Sequence, residues 1–258
     1  MNYGITGKNA LINGGSSGIG LGIARALAAE GVHVALCARD EGKLRQAAGG
    51  IAAEFGVRAV PIAADVSAPE AAEDAVARAV ADLGGLDILV NNSGGPAAGV
   101  FEELSDQQWE EAAQLLLMSA VRFSRAALPH MKAQGWGRIL NLCSTSVREP
   151  IAGLMLSNAL RAAVIGLSKT LSQEAGPYGV TVNSILPGRI HTGRLEALAD
   201  RQGRPRDQVF ADWIAEIPLR RLGKPADVGA LAAFLASEPA GYLTGLSIPV
   251  DGGMLKSV

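Results

Sequence analysis

Residues 8–31, KNALINGGSSGIGLGIARALAAEG, change their hydrophobic period partway along, and that change limits the folds open to the chain. Ala10, Leu11 and Ile12 form the unbroken apolar run of a strand buried on both faces. Gly14, Gly18 and Gly20 follow with the spacing G-x-x-x-G-x-G, and Ser16 and Ser17 stand between the first two. Ile19, Ile23 and Leu27 then recur every fourth residue as a helix stripe, and Gly31 stands where a C′ glycine would end it. A glycine turn between strand and helix turns backbone N–H groups toward the positive end of the helix. With no Cβ in the way, a pyrophosphate can approach that backbone. The turn points to dinucleotide binding by Gly14, Ser16, Ser17, Gly18, Ile19 and Gly20. A plain strand–helix turn that needs pliable backbone is the alternative.

The same alternation continues. Residues 32–38 (VHVALCA) read as a second strand, followed by Arg39-Asp40 and a helix over about 41–55. The residue at the end of this strand meets the adenosine ribose in a dinucleotide fold, where an acid suits a free 2′-hydroxyl and an arginine a 2′-phosphate. Ala38 brings no acid and Arg39 brings a guanidinium, which favours NADP over NAD. The competing explanation is an arginine solvated at a strand end. A third strand over 58–62 runs toward Asp65-Val66, and 71–83 is an alanine-rich helix. A fourth strand, 86–90, leads into Asn91-Asn92-Ser93-Gly94-Gly95, a turn suited to backbone lying against a ligand and equally to any tight reversal.

Residues 106–130 read as one long helix in which Leu115, Leu116, Leu117 and Met118 cover more than one face, implying burial against the sheet and against a partner subunit. A fifth strand over 138–142 ends at Cys143-Ser144-Thr145-Ser146. A helix over 156–175 and a sixth strand over 180–186 follow, with Pro187-Gly188 beyond. Residues 189–217 break the rhythm with two short helical patterns, about 192–201 and 207–217, and read as a lid. Its arginines (Arg194, Arg201, Arg204 and Arg206, with Arg220 and Arg221 just past it) are either a solvated surface or a receiver for an anionic substrate tail. A helix over about 225–235, a strand over 246–250 and the turn Asp251-Gly252-Gly253 close the chain. Strand–helix alternation without hairpin signals predicts an α/β fold of Rossmann type over 1–258. The expected sheet is parallel and doubly wound with about seven strands, helices lie on both faces, and ligands bind outside the strands' carboxyl ends.

Composition narrows the class. The chain has 258 residues, 32 of them glycine, and is 48% hydrophobic, which suits one large domain with close backbone packing. A net charge of −2 offers no field for nucleic acid or an anionic membrane. Cys37 and Cys143 both fall in apolar strand-like runs and read as buried reduced thiols. No cationic stretch precedes an apolar segment at the N-terminus and no apolar run reaches 18 residues, so the expected location is the cytoplasm. No metal site is expected.

Taken in order, these motifs resemble the short-chain dehydrogenase/reductase family over essentially the whole chain. The glycine turn matches, Asp65-Val66 resembles the family's adenine contact, and Asn91-Asn92-Ser93-Gly94 looks like its N-N-A-G. Pro187-Gly188 with Ile190 and Thr192 resembles P-G-x-x-x-T, whose threonine meets the nicotinamide amide. Arg221 to Pro225 (RLGKP) and Asp251-Gly252-Gly253 match its C-terminal signatures. The likeness runs most to bacterial 3-oxoacyl-carrier-protein-reductase-like members. It implies a small-molecule substrate, anionic or carrier-linked, and a homotetramer or homodimer paired through the two long helices.

The resemblance breaks at the reaction centre. The family's serine is matched by Ser144. Its tyrosine position holds Ser157, its lysine position Arg161, and its asparagine position Leu116. A cation about 4 Å away at an effective dielectric of ~20 favours an anion by roughly 4 kcal/mol, or ~3 pKa units. That shift brings a phenol from ~10 to ~7 but leaves an aliphatic hydroxyl a poor acid. Arg161 will not release a proton either, although it can stabilise an oxyanion or hold a ribose or carboxylate. Tyr178 is expected on the opposite rim, and His191 and Glu149 are alternative proton sources. Two functions follow. One is an NADP-dependent oxidoreductase acting on a carbonyl, imine or activated alkene by a non-standard proton path; an iminium acceptor would need no proton at all. The other is a dinucleotide-binding regulatory or assembly protein with weak or no turnover.

Overall fold

Strand residues of this chain point alternately to two buried faces. Ile12 packs with Ile23, Leu27, Val228 and Leu235 on one side of the sheet, and Leu11 packs with Ala75, Phe123 and Met131 on the other. The computed structural model describes residues 2–257. Seven strands form one parallel sheet in a single domain: β1 (Asn9–Asn13), β2 (His33–Ala38), β3 (Ala59–Ala63), β4 (Ile88–Asn91), β5 (Gly137–Leu142), β6 (Val180–Pro187) and β7 (Ser247–Val250). Their order is β3-β2-β1-β4-β5-β6-β7. The chain therefore winds outward from β1 in one direction and then in the other. A crevice opens where the direction reverses, between the carboxyl ends of β1 and β4.

Helices α1 (Gly18–Ala29), α2 (Glu41–Phe55), α3 (Ala71–Leu83), α4 (Asp106–Ala113), α5 (Ser119–Gln134) and α6 (Met155–Ala175) cover the two faces. Two more, α7 (Gly193–Asp200) and α8 (Arg206–Glu216), occupy the segment read as a lid, and α9 (Pro225–Ala236) lies against α1. That last contact depends on missing side chains. A Cβ on Gly22 would meet Pro225 at 2.6 Å, and one on Gly229 would meet the Gly22 carbonyl at 2.6 Å. Local chemistry sets other boundaries. The Asp40 carboxylate accepts the Lys43 N–H at 3.0 Å to start α2, and Ser105 and Gln108 form a capping box at the head of α4.

The long helix expected over 106–130 differs from the pattern. It is interrupted by a π-helical segment, Gln114–Met118, and then continues past Pro129 to Gln134. The wide turn takes in the four consecutive apolar residues that exceeded one helical face. Leu116 is buried at its centre, and the Ser119 hydroxyl donates back to the Leu115 carbonyl at 2.6 Å.

Candidate active site

The crevice above the strand ends is a continuous cleft. Its central cavity, of about 580 Å³, is lined by the glycine turn, by the segment after β4, by the end of β5, by α6 and by the loop leading into α7. Gly14, Ser16, Ser17, Gly18, Ile19, Ser93, Gly94, Pro187, Gly188, Ile190 and Thr192 all line it, and so do Ser144, Ser157 and Arg161. Arg39, Asp65 and Val66 line an adjoining cavity of about 810 Å³ that shares Gly14, Ser16 and Ser17. Lys43, which the sequence reading passed over, lines this second cavity beside Arg39. Arg39 directly follows β2 and Lys43 lies in the first turn of α2, so a basic pair four residues apart at this strand–helix junction could have revealed the site.

Two expected site residues stand behind the wall. Asn91 is buried; its Nδ2 donates to Asn141 Oδ1 at 2.8 Å and to Ser124 Oγ at 3.0 Å, tying β4 to β5 and α5. Gly20 faces inward, where a Cβ would lie 2.1 Å from the Gly14 carbonyl oxygen. It permits the turn rather than lining the cleft.

The residues at the turn fit a dinucleotide. Ser17 precedes α1 in extended conformation (φ −161°, ψ 173°), its side chain caps no helix N–H, and the first turn carries no acid. The amide groups at the positive end of α1 are thus left for a ligand anion. Gly14 and Gly18 hold φ of +62° and +54°, which keeps the turn free of side-chain bulk where it faces the cleft.

Ser144, Ser157 and Arg161, the residues expected to carry the reaction, form a set of hydrogen-bond donors. Ser144 Oγ accepts the Ser146 N–H at 3.1 Å, leaving its hydroxyl proton free to donate. Ser157 lies near the start of α6 with Arg161 one turn later. Arg161 Nε donates to Ser157 Oγ at 3.2 Å, and Nη1 donates to the Leu142 carbonyl at 2.7 Å. Nη2 makes no hydrogen bond, and no carboxylate pairs with Arg161 among the described residues. Burial pushes the Arg161 pKa down, the nearby Cys143 thiol opposes that shift, and Arg194 adds to it. The side chain remains a cation at working pH. Burial raises the Cys143 thiol to about 11, so it stays protonated.

Neither alternative acid enters the cleft. The His191 ring packs edge-on against Phe210 at 5.5 Å, and its Nε2 lies 3.2 Å from Glu196 Oε1. Glu149 holds the C-terminal tail: its Oε1 accepts the N–H groups of Lys256 at 2.8 Å and Ser257 at 2.7 Å. These bonds keep its carboxyl below the usual range. Tyr178 lies just before β6, on the rim away from the cleft, with Lys132 Nζ 4.2 Å above its ring. Among the described residues, no carboxyl, imidazole, phenol or ammonium group lines the central cavity.

Known proteins resemble this chain in sequence and in fold. The family model for enoyl-(acyl carrier protein) reductase matches residues 6–255. The short-chain reductase protein NovJ of Streptomyces niveus is 37% identical over 244 residues, covering 95% of this chain and 92% of the relative. The D-beta-hydroxybutyrate dehydrogenase of Cupriavidus necator is 36% identical over 254 residues, 96% of this chain and 98% of the relative. Among solved structures, L-sorbose reductase from Gluconobacter frateurii in complex with NADPH and L-sorbose superposes with a TM-score of 0.95. It is 37% identical, and both chains are covered in full.

Proposed function

The chain belongs to the short-chain dehydrogenase/reductase family, and from that we propose an NADPH-dependent reductase whose cleft steadies negative charge on a substrate oxygen without a protein acid to protonate it. NADPH bound along the glycine turn supplies the hydride. Support for the phosphorylated cofactor comes from Arg39 and Lys43 at the adenosine-side cavity and from the NADPH held by the L-sorbose reductase that this chain resembles.

The observation that carries the reading is the donor set. Ser144, Ser157 and Arg161 share the central cavity, and each offers protons in hydrogen bonds where no titrating acid stands beside them. As the substrate's carbon–oxygen π electrons move onto oxygen, the Ser144 hydroxyl donates to that oxygen. The Arg161 guanidinium balances its charge in a partly dry site. The proton that completes the alcohol comes from water reaching the open cleft. For an activated alkene, the same groups hold the enolate oxygen while carbon is protonated by solvent. An iminium is a poorer match, because Arg161 and Arg194 place positive charge against a cationic substrate and the cavity lining holds no acid.

Titration with NADPH and NADH, followed by reduced-nicotinamide fluorescence, tests the cofactor. A panel of ketones, β-ketoacyl thioesters, enones and imines then tests turnover. The expected result is NADPH binding and its consumption with a carbonyl or enone. A chain that binds neither reduced nicotinamide contradicts the reading, and NADPH binding without turnover across the panel favours the regulatory alternative.

A further inference from the structure

Seven arginines lie between residues 189 and 221, and the structure sorts them. Arg189 pairs with Glu216 at 2.6 Å, Arg204 with Asp212 at 2.7 Å, Arg206 with Asp200 at 2.8 Å and Arg221 with Asp227 at 2.7 Å, while Arg220, away from both cavities, donates to the Ala215 carbonyl. Arg194 and Arg201 have no acidic partner among the described residues. They stand two turns apart on one side of the lid helix α7, facing the cleft. Arg194 lines the central cavity, and Arg201 lines a neighbouring one of about 540 Å³. Each spends one donor on the loop opposite: Arg194 Nη2 on the Pro96 carbonyl at 3.0 Å and Arg201 Nη2 on the Ala98 carbonyl at 3.2 Å. Their other guanidinium N–H groups make no hydrogen bond among the described residues.

The charges form a row. Arg201 disfavours the charge on Arg194, whose pKa is lowered by burial first and by Arg201 second, and Arg194 in turn acts on Arg161. Like charges aligned along a cleft are unfavourable until an anion joins them. The neighbouring cavity adds a second requirement. Val100, Ile151, Leu154, Leu195, Leu198 and Trp213 give it an apolar wall, and it meets the central cavity at Ser144. Glu103, the one acid in its lining, already accepts the Val100 N–H at 3.3 Å.

We infer that the substrate is an oxo acid with an apolar body: its carbonyl sits at Ser144, its body lies against the Val100–Ile151–Leu198 wall, and its carboxylate is held by Arg194 with Arg201 behind it. The carbonyl placement rests on the reductase reading. The anion site stands on the unpaired arginines alone.

The test uses the full chain and two probes of matched shape, 4-phenylbutanoate and 4-phenylbutanamide, titrated calorimetrically with and without NADPH. The acid is expected to bind at least about tenfold tighter than the amide, the scale of one charge-assisted hydrogen bond. Arg194→Met is expected to abolish that preference while amide binding stays within about twofold, and Arg201→Met to reduce it. Equal binding of acid and amide, binding of neither at millimolar concentration, or an undiminished preference in Arg194→Met overturns the inference. An acid preference in a chain that ignores NADPH upholds the anion site and defeats only the reductase reading. NADPH-dependent turnover of neutral ketones with no acid preference does the reverse.

Discussion

Arg161 Nε donates to Ser157 Oγ at 3.2 Å across one turn of α6, so the two side chains are joined to each other. The bond uses an acceptor site on the serine and leaves its hydroxyl proton directed elsewhere. It also orients the guanidinium, which the Leu142 carbonyl holds from a second side at 2.7 Å. Neither member of the pair is an acid near neutral pH.

Arg161→Met keeps the length of the side chain and removes its charge. We expect kcat/KM for NADPH-dependent reduction to fall about 100-fold or more, the scale of losing an oxyanion donor. The NADPH Kd should move far less. Ser157→Ala removes one neutral donor and should cost about tenfold at most. Steady-state kinetics on both variants, with thermal unfolding as a control, separates these roles. A larger loss in Ser157→Ala would reverse them.

Arg39→Ala is expected to weaken NADPH about tenfold or more, the scale of a charged hydrogen bond, with NADH little changed. Lys43→Ala should have a smaller effect in the same direction, because its Nζ is already 3.3 Å from Asp40 Oδ2. Fluorescence titration of both cofactors reads the difference, and equal weakening of the two would mean that these side chains do not meet a phosphate.

Two glycines in the cradle should respond in opposite ways. Gly20→Ala drives a Cβ to 2.1 Å from the Gly14 carbonyl oxygen, so the turn must shift, at a cost of about 1–3 kcal/mol. Gly94→Ala meets nothing within 4 Å and should leave stability within about 0.5 kcal/mol, yet weaken NADPH if the ligand backs onto that loop. Urea unfolding and NADPH titration on each variant check the contrast.

The buried thiols give a pH dependence of stability. Burial raises Cys37 to about 12 and Cys143 to about 11, above the ordinary thiol value of about 9. Between pH 9 and those values the folded chain binds more protons than the unfolded chain, so stability falls as pH rises through that window. Urea midpoints should therefore drop above pH 9 more steeply in the wild-type chain than in a Cys37→Ala/Cys143→Ala variant. Identical slopes would mean that the thiols are not shifted. Neither thiol should react with a disulfide reagent at pH 8 until the chain unfolds.

Much of this architecture was legible in the residues. Strands buried on both faces leave unbroken apolar runs, and β1, β2, β5 and β6 lie within a residue or two of where such runs placed them. The lid helices likewise fall at 193–200 and 206–216. The π-helical turn at Gln114–Met118 escaped because periodicity assumes one pitch, and the run Leu115 to Met118 registered only as a stripe too wide for one face. At the site, the glycine turn was readable because backbone shape depends on local residue type. Which lid arginines are neutralised was not, since Arg189 finds Glu216 and Arg206 finds Asp200 only after the lid has folded. Glu149 was open as a proton source for the same reason: its partners Lys256 and Ser257 lie at the far end of the chain.

The pH profile of kcat/KM, measured with the best NADPH-dependent substrate from the panel between about pH 6 and pH 9, bears most directly on a cleft that holds charge without supplying a titrating acid. A profile flat to within about twofold is expected, because the described residues lining the central cavity include no carboxyl, imidazole, phenol or ammonium group and burial holds the Cys143 thiol up at about 11. A fall approaching tenfold per pH unit above a midpoint in that range would reveal a protein acid at work, contradicting the donor-only site.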